Sequence, residues 1–173
     1  TTIPGFDLNS AFEAVVTQAF ENGQVVDGTI AANEAQRAAL WELRESLPEG
    51  ESLNGGSVKH DVAVRVSRVP EFISAASDCV MQIDPSLRLS IYGHVGDGNI
   101  HFNVLPAIDE YVKSKTMIDR DVSPAIYDLI ASMGGTFSAE YGLGQDKLEL
   151  ANHYLNPASR DLMRRIKLSI DPK

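Results

Sequence analysis

The chain has a single cysteine, Cys79, and one thiol cannot close an internal disulfide. Its fold must rest on a packed core, with Cys79 as a small core residue of a helix, and the lone thiol suits a reducing compartment. Positive charge is also scarce: 15 Lys and Arg stand against 24 Asp and Glu, a net charge of −9. That balance argues against a nucleic-acid partner, because phosphate backbones need a basic surface. No apolar run approaches the roughly 18 residues of a membrane span, and no secretory signal is expected. Repeats and low-complexity linkers are missing too. What remains is 173 residues with 43% hydrophobic content, enough for one domain with a real core, read as residues 1–173.

The most informative stretch is 87–105, LRLSIYGHVGDGNIHFNVL. Asp97-Gly98 is a two-residue turn signal, since a type I′ turn needs positive φ at both central positions. A turn there opposes His94 to His101. Alternation then puts Leu89, Ile91, Gly93, Val95, Ile100, Phe102 and Val104 on one side, and Tyr92, His94, His101 and Asn103 on the other. One face is core; the other carries two imidazoles side by side, a way to present two nitrogen ligands to one metal ion. Paired histidines on a solvent face are also ordinary surface chemistry, and these residues alone leave both readings open.

Along the chain, Ser10-x-x-Glu13 reads as a capping box opening a helix with Phe12, Val15, Val16, Ala19 and Phe20 as its stripe, ended by Gly23. Asn33 caps a second helix, with Leu40, Leu43 and Leu47 on its face and Pro48 and Gly50 stopping it. From Val58 an alternating run makes a half-buried strand reaching Val66, with Val58, His60, Val62, Val64 and Val66 inward and Lys59, Asp61, Ala63 and Arg65 outward. His60 shares the parity of the valines and reads as a satisfied core histidine. A helix follows with Ser67 as cap and Pro70 in its first turn, to about Gln82. After the hairpin comes a helical stretch from about Asp109 to Met133, kinked or restarted at Ser123-Pro124. Thr136–Glu140 reads as a short strand with Thr136, Ser138 and Glu140 on one face. Asn156-Pro157 opens a last helix with Leu162, Met163 and Ile166 inward.

The order from Val58 to Glu140 is β-α-β-β-α-β. The expected fold is therefore α+β: a ferredoxin-like, four-stranded antiparallel sheet in the order fourth-first-third-second, with helices on one face and further N-terminal and C-terminal helices. Its other face is expected to be open, carrying Lys59, Asp61, Arg65, His94, His101, Asn103, Ser138 and Glu140. That density of ligand-type side chains reads as one wall of an active site.

GHVGDGNIHFN, followed some forty residues on by GGTFSAEYGLG, resembles the signature pair of the C-terminal domain of FAD-linked oxidases, in the vanillyl-alcohol oxidase superfamily. The similarity is to the branch with D-lactate, D-2-hydroxyglutarate and glycolate dehydrogenases, and runs from about Asp27 onward. It implies that His94, His101 and Glu140 hold a divalent ion of the zinc or manganese type, with positions left to grip a substrate hydroxyl and carboxylate. It also implies that Arg44 of Leu43-Arg44-Glu45, Lys59 of Lys59-His60-Asp61, and Asn103 contact the substrate, the guanidinium as a bidentate partner of a carboxylate. Where the family usually reads Ser-Ala-Glu-His-Gly, with the histidine as the base that takes the 2-hydroxyl proton, this chain has Tyr141. A phenol near pKa 10 is a poor base at neutral pH, which puts its catalytic role in doubt. Arg65 stands where relatives often have proline.

The implied activity is FAD-dependent oxidation of a D-2-hydroxy acid to a 2-oxo acid, hydride passing from C2 to flavin N5. No flavin-cradling glycine loop is visible, and Gly142-x-Gly144 lacks the context of a dinucleotide fingerprint. The FAD-binding domain is therefore expected upstream as partner, with this stretch inactive alone. The electron acceptor, the particular 2-hydroxy acid and the oligomeric state, a homodimer among the options, are left open. The implied location is cytoplasmic, or the mitochondrial matrix in a eukaryote. The alternative is a non-catalytic metal- or ligand-binding ferredoxin-like module. A metal-dependent hydrolase would need a base and an oxyanion site that the sequence does not reveal.

Overall fold

The computed structural model describes residues 3–94 and 96–172, and the chain divides into two compact units, Thr1–Leu47 and Pro48–Lys173. The first contains α1 (Leu8–Glu21) and α2 (Glu34–Glu45). α1 starts earlier than the capping box suggests. The Asp7 side chain accepts the Asn9 and Ser10 N–H groups, so Ser10 lies inside the helix and its hydroxyl donates to Asp7. Gly23, at φ +68°, ends it as expected. Asn33 caps α2 by accepting the Gln36 N–H at 2.9 Å, and the Gln36 side chain returns to the Ala32 N–H at 2.7 Å. The α1 stripe stays exposed, Val15 by 65%.

Pro48 and Gly50 do not terminate a helix; they lie within α3 (Leu47–Leu53). Proline is tolerated in a first turn, where its missing N–H has no partner to lose. Beyond α3 come β1 (Val58–Ala63), α4 (Val69–Ile83), β2 (Arg88–His94), β3 (Asn99–Leu105), α5 (Tyr111–Met117), α6 (Ser123–Ser132), α7 (Leu148–Tyr154) and α8 (Pro157–Ile170). β1 stops at Ala63, so Arg65 leaves the sheet and precedes a 3₁₀ turn, Val66–Arg68, that leads into α4. Ser67 therefore sits inside that turn and is not a cap. Ser123-Pro124 restarts the long helical stretch: a π-helical turn over Ile118–Val122 has the Ser123 N–H reaching back to the Ile118 carbonyl. Proline brings no N–H to the ladder, and a widened turn is one way to absorb the gap. α7 has no counterpart in the sequence reading.

The sheet is antiparallel with the order β1-β3-β2. Lys59 pairs with Asn103 and Asp61 with His101, while Tyr92 faces His101 and His94 faces Asn99. The hairpin is thus shifted by two residues from the type I′ register. Only Gly98 of the two expected turn residues has positive φ, +77°, and Asp97 Oδ1 accepts the Asn99 N–H at 3.0 Å. The loop is held against β1, where the Val64 N–H donates to the Gly98 carbonyl. A shift of two preserves face parity, so the sorting of side chains survives; Val95 lies outside the described residues.

The expected fourth strand is a single bridge, Thr136 to Ala63. Gly135 permits this approach, since a Cβ there would meet the Ala63 carbonyl oxygen at 2.4 Å. Past the bridge, the Ala139 N–H is shared between the Asp61 carbonyl of β1 and the Asp61 side chain, and the N–H groups of Glu140 and Tyr141 turn to that side chain.

α4, the π turn and α6 cover the apolar face. Val62, Phe72, Ala76, Val80, Phe102, Val104, Ile118, Val122 and Ile126 are fully buried there, and Phe72 meets Phe102 edge-on at 5.8 Å between ring centroids. Each such side chain contributes about 1.5–3 kcal/mol. Cys79 in α4 is half-buried. The opposite face is not open. β3 is buried along its whole length, because Glu51 of α3 and the segment after Thr136 bond to the sheet's polar side chains. α8 is capped as expected, Asn156 accepting the Ala158 and Ser159 N–H groups, but Leu162, Met163 and Ile166 point outward, 46–59% exposed.

Candidate metal centre

His60 lies among the core residues, 1% exposed. Its Nδ1 is 2.9 Å from the Phe102 carbonyl oxygen and its Nε2 is 2.8 Å from Ser123 Oγ. A carbonyl only accepts, so Nδ1 carries the proton and the Ser123 hydroxyl donates to Nε2. Burial pushes the His60 pKa down to about 4. It is a structural histidine, facing away from the polar side of the sheet.

On that polar side His94 and His101 come together diagonally across the hairpin, ring centroids 5.8 Å apart and nearly perpendicular. Glu140 reaches both: Oε1 is 3.2 Å from His94 Nδ1, and Oε2 is 3.8 Å from His101 Nε2. One ligand atom from each of the three lies within 4.8 Å of the others. His101 is buried, 9% exposed, against the expectation that it stands clear of the interior. The His94 side chain is 40% exposed, so solvent or a small ligand approaches from its side.

Asp61 underlies the cluster. Its Oδ2 accepts three backbone N–H groups, from Ala139 at 3.1 Å, Glu140 at 2.9 Å and Tyr141 at 3.2 Å. Its Oδ1 is buried without a hydrogen-bond partner among the described residues and lies 3.8 Å from His101 Nδ1. Nearby, Lys147 donates to the Phe137 carbonyl at 2.9 Å; burial lowers its pKa, and the Asp61 charge opposes that shift.

The other expected site residues are distributed differently. Asn103 shares the face but is fully buried, and its Nδ2 donates to Glu51 Oε1 at 2.8 Å, with Tyr92 Oη at 3.4 Å. Lys59 is exposed on the same face, directly opposite Asn103 in the β1–β3 pairing. Tyr141 follows Glu140 with its side chain 76% exposed and its ring 6.3 Å from that of His101. Arg44 lies in α2, in the other unit. Ser138 donates its hydroxyl to the Gly142 carbonyl. Sequence reasoning counted Asp61 among the side chains of the active-site face without an individual role, and gave none to Glu51 or Asn99. The parity of Asp61 was visible, but its donors are 78–80 residues away. Glu51, 5% exposed, also accepts Ser57 Oγ at 2.8 Å, and no local pattern marks a glutamate for burial. The Asn99 amide has both polar atoms buried and without a partner among the described residues.

The fold is an α+β unit in which two histidines of the antiparallel sheet and a carboxylate from a neighbouring loop form a group that could hold a metal ion. The chain belongs to the family of FAD linked oxidases, C-terminal domain, whose model matches residues 5–173. It is 32% identical over 171 residues to the mitochondrial D-2-hydroxyglutarate dehydrogenase of Bos taurus, covering 98% of this chain and 30% of that protein. The D-2-hydroxyglutarate dehydrogenase of Stutzerimonas stutzeri is 32% identical over 88% of this chain and 32% of its own length. The D-2-hydroxyglutarate–pyruvate transhydrogenase of Saccharomyces cerevisiae is 32% identical over 86% of this chain and 30% of its own. The chain therefore spans about a third of the relatives it matches. Among the described residues no helix is long and apolar enough to cross a membrane.

Proposed function

We propose that residues 1–173 are the substrate- and metal-binding domain of an FAD-dependent dehydrogenase that oxidises a D-2-hydroxy acid to the 2-oxo acid. The observation that carries this is the convergence of His94, His101 and Glu140, three ligand atoms within 4.8 Å, in a chain of this family. The donor set fits a borderline divalent ion of the zinc or manganese type. Bound there, such an ion would supply Lewis acidity that lowers the pKa of an adjacent substrate hydroxyl. The residues of the chain do the rest. His94 and His101 offer neutral nitrogens from a rigid sheet, Glu140 closes the set from a loop that Asp61 pins, and the exposed side of His94 admits the acid. Lys59 places an ammonium on the same face to receive a carboxylate, and Arg44 is proposed as a second carboxylate contact on its motif alone. Asn103 reaches a substrate only by exchanging its bond to Glu51, so we assign it as a contact formed on binding. Tyr141 stands where a histidine base is expected; its exposed phenol favours a proton leaving to solvent over one held in the protein, and it is the feature that favours the alternative, a metal- or ligand-binding module without catalysis.

The described residues do not fit FAD in the same way. Gly142 and Gly144 have positive φ, yet nothing lies within 4 Å of where a Cβ would stand, so they form no close cradle for a flavin. A separate FAD-binding domain is the proposed partner. The order β1-β3-β2 with the Thr136 bridge beside β1 supports a ferredoxin-like ancestry with its fourth strand reduced. A reducing compartment, cytoplasm or mitochondrial matrix, is the proposed location.

The test uses the protein that carries this chain together with a flavin domain. Metal analysis should give one divalent ion per chain, and chelation should abolish oxidation of D-2-hydroxyglutarate or D-lactate, as should His101→Ala. A metal-free protein whose activity survives both would sink the proposal.

A further inference from the structure

The Asp61 carboxylate splits its two oxygens between two tasks. Oδ2 gathers the N–H groups of Ala139, Glu140 and Tyr141 within 2.9–3.2 Å, which fixes the loop that carries Glu140. Oδ1 is buried, has no hydrogen-bond partner among the described residues and faces His101 Nδ1 at 3.8 Å. A buried acceptor without a donor is costly, so an orphan aimed at an imidazole nitrogen calls for a proton on that nitrogen. His101 has a carboxylate at each end of its ring. Glu140 stands beyond Nε2 at the same 3.8 Å, but its side chain is 36% exposed against 7% for Asp61. Water can satisfy Glu140. Among the described residues, His101 Nδ1 is the group that faces Asp61 Oδ1, and the low dielectric there strengthens the preference for a proton on it.

We propose that Asp61 is the positioning residue of the metal centre: through Oδ1 it holds His101 as the Nδ1–H tautomer with the Nε2 lone pair turned to the site, and through Oδ2 it sets the Glu140 loop. The inference rests on the metal reading of His94, His101 and Glu140, and adds the residue that prepares the centre before any ion arrives. A ring nitrogen that bears a proton cannot bind a metal, so the tautomer decides whether the cluster has two imidazole ligands or one. Asp61→Asn separates the two tasks. The three N–H donors select the amide oxygen, which preserves the loop, and the amide NH₂ then points at His101. Its ring answers with a lone pair on Nδ1 and a proton on Nε2.

The measurement is long-range ¹H–¹⁵N NMR of the ¹⁵N-histidine-labelled chain, metal-free at about pH 8 where imidazoles are neutral, followed by zinc titration against a competing chelator. Wild type should show His101 protonated at Nδ1. Asp61→Asn should show it at Nε2 and bind zinc about 10–100-fold more weakly, with an unchanged circular dichroism spectrum. Wild-type His101 protonated at Nε2 overturns the proposal without any variant, which covers the case in which Asp61→Asn fails to fold. A folded Asp61→Asn with unchanged tautomer and affinity overturns it too. Wild type that shows Nδ1–H but binds no zinc supports the tautomer assignment and refutes the metal reading instead.

Discussion

Lowering the pH should destabilise this chain through His60. In the folded state the His60 pKa is about 4 against an ordinary 6.5. Burial is the largest cause, opposed by the Phe102 carbonyl and by the charge of Asp119, and aided by Lys147. Tyr127 closes the pocket from α6, edge-on at 5.5 Å between ring centroids; burial pushes its own pKa up to about 12, so it stays neutral throughout. A depressed folded pKa means that the unfolded chain binds the proton first. The stabilisation is present above pH 6.5 and is lost as the pH falls towards 4. The interval is about 2.5 units, and at about 1.36 kcal/mol per unit the ceiling is about 3 kcal/mol. Between pH 7 and 5 the loss should be about 2 kcal/mol. Urea unfolding followed by circular dichroism across that window measures it, with His60→Gln as reference. The variant should be weaker at pH 7 and flatter in its pH dependence, because glutamine takes no proton. The rest of the chain is identical in the two proteins, so the difference between the two curves isolates His60. Parallel curves, or a His60 ring that titrates near 6.5 by NMR, would refute the assignment of His60 as a neutral core residue.

Gly98→Ala should cost at least about 2 kcal/mol, since φ is +77° and the new Cβ would meet the Val64 carbonyl oxygen at 2.0 Å. Gly96→Ala, whose Cβ meets nothing within 4 Å, should stay within about 0.5 kcal/mol of wild type; thermal melts of the pair check both. Glu51→Ala should lose about 1–3 kcal/mol in urea titrations by stripping Asn103 Nδ2 and Ser57 Oγ of their acceptors, and an unchanged midpoint would show that water replaces the carboxylate.

Much of the sheet was legible from residue order because strand side chains alternate with a period of two. That period placed Val62, Phe102 and His60 on one face and Lys59, His94, His101 and Asn103 on the other, even though the loop between β2 and β3 proved two residues longer than the Asp97-Gly98 signal implies. Helix ends carrying their own caps, such as Asn33 and Asn156, were readable for the same local reason. The motif pair that joins His94 and His101 to Glu140 was likewise in the sequence. Tertiary structure decided what local pattern cannot encode. The chain from Ala139 could have continued along β1 as a fourth strand, but after one N–H shared with the Asp61 carbonyl, the Asp61 carboxylate, 78–80 residues earlier, offered one oxygen to the N–H groups of 139–141. Glu51 reached Asn103 from a separate helix and turned a face expected to be open into a buried one. Both outcomes depend on contacts between residues distant in the chain, whose cost and gain are fixed only when backbone donors and side-chain acceptors are brought together out of water.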